Sequence, residues 1–123
     1  MKYLILIYHN PSILKIWEGF SDAQRAEGLR VYDALREDLE ASGELIVSEA
    51  LADPSLAARV SVREGRTTTT DGPFAEVKEH LAGFFLIECE SIQRAIERAA
   101  RVPEAAFGPV EVRPVLDLKG LEI

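Results

Sequence analysis

The order of elements written into this 123-residue chain predicts an α+β fold of the ferredoxin-like class. Two runs, residues 3–8 and 81–89, are apolar on both alternating faces, as strands covered on both sides are. Two other segments carry an apolar stripe at helical spacing behind a capping residue. With an inserted hairpin set aside, the sequence reads strand, helix, strand, strand, helix, strand, the split βαβ pattern.

The first strand covers residues 3–8, with Tyr3 and Tyr8 at its ends, and His9-Asn10-Pro11 closes it. Residues 12–20, with Trp17 and Phe20, are expected to form a loop or irregular turn whose aromatics pack on the following helix or fold over a pocket. Ser21-Asp22-Ala23-Gln24 is a capping box and opens a long helix. Its expected buried stripe is Ala26, Leu29, Tyr32, Leu35 and Leu39, and Gly43 fits the position just past its end. A second strand follows over 45–51 and is broken by Asp53-Pro54. Residues 59–64 and 66–70 form a hairpin about Glu64-Gly65. That hairpin leads into Asp71-Gly72-Pro73, where an acceptor side chain, a permissive backbone and a fixed φ specify a rigid corner. Pro73 also suits the start of a short helical turn over 74–78. The strand over 81–89 comes next, then a helix capped by Ser91 with Ile92, Ala95, Ile96, Ala99 and Ala100 as its apolar face. Pro103 stops it. In the last strand Val110, Val112, Pro114 and Leu116 alternate with Glu111 and Arg113, and 119–123 is a tail or a dimer contact.

Length and composition suit one domain over residues 1–123 with a single core. The formal net charge of −7 disfavours nucleic acid, whose phosphates demand a basic face, and anionic membrane surfaces. Cys89 is the only cysteine, so no disulfide closes within the chain; its expected role is packing, and a cytoplasmic location follows as the expectation. The apolar run after Met1-Lys2 is too short for a signal core or a membrane span. Two helices can cover one face of the sheet, so the two-sided apolar strands predict a homodimer.

Asp71-Gly72-Pro73-Phe74, followed by Ala75-Glu76, Lys78-Glu79 and Gly83-Phe84-Phe85-Leu86-Ile87, resembles the DGPF-domain branch of the YCII-related family. The likeness extends to Lys2-Tyr3-Leu4-Ile5-Leu6-Ile7-Tyr8 and to Val110-Glu111-Val112-Arg113-Pro114, and so covers nearly the whole chain. The resemblance implies a ferredoxin-like fold paired as a dimeric α/β barrel, with a poorly defined activity. Other branches carry a histidine on the first helix that pairs with an aspartate. Tyr32 stands at the matching position here, so a histidine dyad does not carry over. A neutral phenol is a poor base at neutral pH, although it can donate a hydrogen bond.

Asp71 is the best single catalytic candidate: either a carboxylate at a pocket mouth or a backbone cap for Phe74 and Ala75. Glu76, Lys78 and Glu79 are either a ligand clamp or a solvated cluster. Glu49, in an otherwise apolar strand, is either buried with a cationic partner or facing water at an edge. His9 and His80 lack metal-ligand spacing and are expected to be dispensable, so no metal is expected. No glycine-rich phosphate loop, Gly-x-Ser-x-Gly elbow or Cys/His nucleophile pair is present, and no cofactor is expected. The expected function is small-molecule binding or low-specificity catalysis in a pocket between sheet and helices, near Asp71. Its ligand-binding residues would be Tyr8, Tyr32, Glu49, Asp71, Phe74 and Lys78. The competing readings are a non-catalytic accessory or regulatory protein, since relatives are often encoded beside extracytoplasmic-function sigma factors, and a purely structural dimer.

Overall fold

Six strands and three α-helices are seen in a computed structural model that describes residues 1–74 and 77–119. In chain order they are β1 (Lys2–His9), α1 (Pro11–Glu18), α2 (Asp22–Ala41), β2 (Leu45–Ala50), β3 (Ala58–Arg63), β4 (Arg66–Asp71), β5 (His80–Glu88), α3 (Ile92–Ala99) and β6 (Val110–Pro114). Short 3-10 turns lie at Pro54–Leu56 and Pro103–Ala106. The main sheet has the order β2-β5-β1-β6 with every pair antiparallel, an arrangement consistent with the ferredoxin-like class. Strands β3 and β4 pair only with each other as a separate two-stranded sheet.

Strand register sorts side chains between the two faces of the sheet. Tyr3 opposite Ile87, Ile5 opposite Phe85 and Ile7 opposite Gly83 point one way. There they meet Leu35 and Leu39 of α2, Ala95 and Ala99 of α3, and Val102 in one buried cluster. Leu4, Leu6, Phe84, Leu86 and Val47 share the opposite face. The central strands are therefore apolar on both faces, as their composition predicts, while α2 and α3 supply the core of one face only.

Helix α2 starts and stops where its sequence signals lie. The Ser21 hydroxyl accepts from the Gln24 N–H at 3.1 Å, and the Gln24 side chain accepts from the Ser21 N–H at 2.8 Å. At the far end Gly43 takes φ 77°. The Gly43 N–H bonds to the Glu40 carbonyl and the Glu44 N–H to the Leu39 carbonyl, the paired closure of a Schellman end.

Three expectations need correction, and one open alternative is decided. Residues 12–20 are not a loop: Pro11–Glu18 is a helix, because Asn10 is its N-cap, accepting from the Ile13 N–H at 2.9 Å, and Pro11 occupies its first turn. Leu29 does not belong to the buried stripe of α2; it is 63% exposed. The apolar face of α3 is divided. Ala95 and Ala99 enter the core, whereas Ile92 and Ile96 remain exposed, and Arg98 is buried in their place. Glu49 lies on edge strand β2 and is exposed, which selects its water-facing alternative. The helical turn expected over 74–78 lies partly outside the described residues; Val77 N–H bonds to the Phe74 carbonyl at 3.0 Å. Most of the tail over 119–123 also lies outside them.

The hairpin is as expected about Glu64-Gly65, both at positive φ as a two-residue turn requires. All twelve residues of β3 and β4 are exposed. At its base Gly72 donates its N–H to the Ala57 carbonyl at 2.7 Å, and a Cβ at Gly72 would stand 2.1 Å from the Pro54 carbonyl oxygen. Only glycine fits that approach. The Gly72–Pro73 peptide is cis.

Candidate functional site

A cavity of about 1030 Å³ opens between the helix-facing side of the sheet and helices α1 and α2. Its apolar wall includes Ile7, Leu14, Trp17, Leu29, Leu81 and Phe85. Its polar wall includes His9, Tyr32, Arg36, Ser48, Lys78 and Glu104. A mostly apolar concavity with a few placed polar groups is the usual form of a small-molecule site.

Three of those polar groups act as one unit. Glu104 sits in the 3-10 turn Pro103–Ala106 and is only 4% exposed. His9, at the last position of β1, places Nε2 3.0 Å from Glu104 Oε2. Tyr32, halfway along α2, donates its hydroxyl hydrogen to Glu104 Oε1. The Tyr32 ring lies nearly parallel to Phe85 of β5, with planes 7° apart and centroids 6.4 Å apart. Three elements thus converge on one carboxylate.

The electrostatics follow from that geometry. Burial alone would raise the Glu104 carboxyl. The bonds from His9 and Tyr32 outweigh it and hold the group below the ordinary carboxylate range. Glu104 is therefore an anion at neutral pH. Tyr32 moves the other way: burial first, then its bond to Glu104 and the charge of that carboxylate, push the phenol well above its ordinary value. It remains a neutral hydroxyl. An ionised carboxylate only accepts, so His9 Nε2 carries the hydrogen in this bond and Nδ1 is left for other work.

Nearby groups complete the wall. Arg36 bonds to the Ser48 hydroxyl at 3.3 Å and to Asp33 at 3.2 Å, so α2 is tied to β2 beside the cavity. Trp17 packs against Phe20 with centroids 5.4 Å apart, and its buried Nε1 has no hydrogen-bond partner among the described residues.

Of the six residues expected to bind a ligand, Tyr32, Glu49 and Lys78 line the cavity. Tyr8 is half-buried on β1 and lies outside the wall. Asp71 is exposed at the end of β4 and likewise outside it, although Pro73 two residues on belongs to the wall. Phe74 stacks under the Arg59 guanidinium, 3.9 Å from its ring centre, rather than facing the cavity. Of the expected cap of Asp71 on Phe74 and Ala75, no hydrogen bond to Phe74 is seen among the described residues, and Ala75 falls outside them, as does Glu76. His9 is not an isolated strand-end histidine, and Glu104 has no sequence signal beyond an acid after Pro103. The partners of Glu104 lie 72 and 95 residues away, and only the fold brings them together.

A second buried acid lies at the other end of the sheet. Glu44 accepts from the Ser42 hydroxyl at 2.7 Å, from Arg98 at 2.7 and 3.2 Å, and from Arg94 at 3.2 Å through each of two nitrogens. Burial would raise its carboxyl, but these bonds and the Arg98 charge hold it down to about 2.

The fold and the cavity together define a small mixed α+β domain with a candidate ligand site on the helical side of its sheet. The chain belongs to the YCII-related domain family, whose model matches residues 1–119. It is 33% identical over 117 residues to an uncharacterised protein of Rhizobium meliloti, covering 94% of this chain and 92% of that protein. Among the described residues no helix is long and apolar enough to cross a membrane.

Proposed function

We propose that this chain is a small-molecule-binding protein, or an enzyme of low specificity, whose working site is the cavity carrying His9, Tyr32 and Glu104. The observation that supports this is the shared, buried Glu104 carboxylate: it orients a histidine and a neutral phenol that both border an apolar cavity. A carboxylate behind an imidazole fixes the tautomer and orientation of the ring and leaves Nδ1 its lone pair, so His9 is equipped as a general base. The centre of the site therefore shifts from Asp71, at the hairpin corner, to His9. A fragment screen followed by backbone amide NMR tests the reading. Bound fragments should move the amides of Ile7, His9, Tyr32 and Phe85. Fragments that bind while leaving all four unmoved, or a diverse library without a binder, would refute it.

We also propose that the domain works as a homodimer, paired through the second face of the sheet as in a dimeric α/β barrel. Leu4, Phe84, Leu86 and Val47 on that face support the pairing, since the helical core serves the other face. Light scattering over micromolar concentrations should give about twice the 13.6 kDa chain mass. A steady mass of one chain would sink the pairing.

A further inference from the structure

Hydrogen-bond direction at Glu104 restricts what the cavity can hold. The carboxylate takes one hydrogen from His9 Nε2 and one from the Tyr32 hydroxyl. Each donor has then spent its hydrogen inward. Both side chains line the cavity, and what remains to them for a ligand is the Nδ1 lone pair of His9 and the hydroxyl lone pairs of Tyr32. No protein partner for His9 Nδ1 occurs among the described residues. With the imidazole neutral, the three groups together carry one negative charge, and that charge is poorly screened because Glu104 is buried. Both free atoms accept, and the charge behind them repels anions.

The rest of the wall states the other requirement. Ile7, Leu14, Trp17, Leu29, Leu81 and Phe85 offer aliphatic and aromatic surface to a flat apolar body. Arg36 is already held by Asp33 and Ser48, and the Trp17 N–H is buried, so neither stands ready to receive a carboxylate. Lys78 also lines the cavity, so the bar to anions acts at His9 and Tyr32 and not along the whole wall.

We propose that the ligand is a hydrogen-bond-donating hydroxyl on an apolar ring system, a phenol or an enol, with His9 Nδ1 as the acceptor. The inference rests on the ligand-site reading above and gives it a substrate class. Glu104 is the positioning residue, and Tyr32 the second acceptor. Carboxylates, phosphates and ethers of the same shape are disfavoured. The first two bring a second negative charge to a buried one, and an ether brings a lone pair to a lone pair.

The test uses naphthol, its methyl ether and naphthoate, three probes with one ring body. Each is titrated calorimetrically into the whole chain at neutral pH, and the His9 ring nitrogens are followed by NMR. Naphthol should bind about tenfold more tightly than either of the others, a difference within reach of one well-placed hydrogen bond. It should also shift the Nδ1 resonance, which the methyl ether should not. In His9→Leu the advantage of naphthol should fall to about twofold while the ether binds as before. Because His9 is only partly buried, this variant is expected to fold; an unchanged amide spectrum checks that. Should it misfold, the preference and the Nδ1 shift in the wild-type chain decide. Equal affinities for all three probes, or a preference for naphthoate, would overturn the donor rule while leaving the cavity as a ligand site. Binding of none of them would remove both.

Discussion

Glu44 and Glu104 are both buried glutamates, and both carboxyls sit below their ordinary range. They differ in the company they keep. Glu44 is held by two arginines and a serine, and the guanidinium groups are permanently charged. Glu104 is held by a histidine and a tyrosine, groups that can give up or retain a proton, and both border the cavity. The first cluster is closed and pins the end of α2 and the start of β2 to α3. The second is open on one side. A buried carboxylate alone does not mark a site; what its partners can still do does.

The sharpest way to break this comparison is at Arg98. Replacing it by methionine leaves Glu44 buried with only part of its compensation. Arg98→Met should cost about 3–5 kcal/mol, measured by urea unfolding. A loss below about 1 kcal/mol would mean that Arg94 alone satisfies Glu44.

Acid separates the two clusters next. A carboxyl depressed by folding contributes stability that is complete above its unfolded value of 4.5 and is lost as pH falls toward its folded value. For Glu44 that window runs from 4.5 down to about 2, with on the order of 3 kcal/mol at stake. Glu44→Gln should flatten the fall of the urea midpoint across this window. An unchanged slope would show that other carboxyls, Glu104 among them, dominate acid unfolding.

Tyr32→Phe should have a smaller effect, about 2 kcal/mol, because it removes one hydrogen bond to a charged acceptor while His9 still holds Glu104. The opposite pH dependence applies to the phenol. Its raised value means that the stability it adds is complete below about pH 10 and is lost above it. Alkaline unfolding followed in both proteins should therefore show the wild type converging on the variant as pH rises.

Leu29→Gln marks the lower end. Leu29 is 63% exposed, so stability should change by no more than about 0.5 kcal/mol. It also lines the cavity, so fragment affinity should fall while the melting temperature stays put. The reverse pattern would place Leu29 in the core after all.

The sequence makes the frame legible because the frame is built from local patterns. The two-sided apolar runs at β1 and β5, the capping box at Ser21, Gly43, and the Glu64-Gly65 turn each announce themselves within a few residues. Helix α1 is hidden in the sequence because Asn10-Pro11 ends a strand and begins a helix with the same two residues. The α3 face misleads because Ile92 and Ile96 look like core residues and Arg98 does not, until Glu44 supplies its charge. The site was legible only in part. Tyr32 stands out by position, and its capacity to donate is used. The roles of His9 and Glu104 depend on contacts across most of the chain, which no local pattern encodes. Asp71-Gly72-Pro73-Phe74, the most conspicuous local motif, shapes a corner beside the cavity and places only Pro73 in its wall.

That corner has a consequence for the order in which the molecule comes apart. The hairpin joins the body through Gly72 and the 3-10 turn Pro54–Leu56, while all the residues of its strands face solvent. Its ladder can open without disturbing the core. In a hydrogen-exchange experiment the amides of β3 and β4 should exchange through this local opening, and those of β1 and β5 only when the whole domain unfolds. The chain would then behave as two cooperative units, a slow central sheet and a fast arm, hinged where no side chain fits.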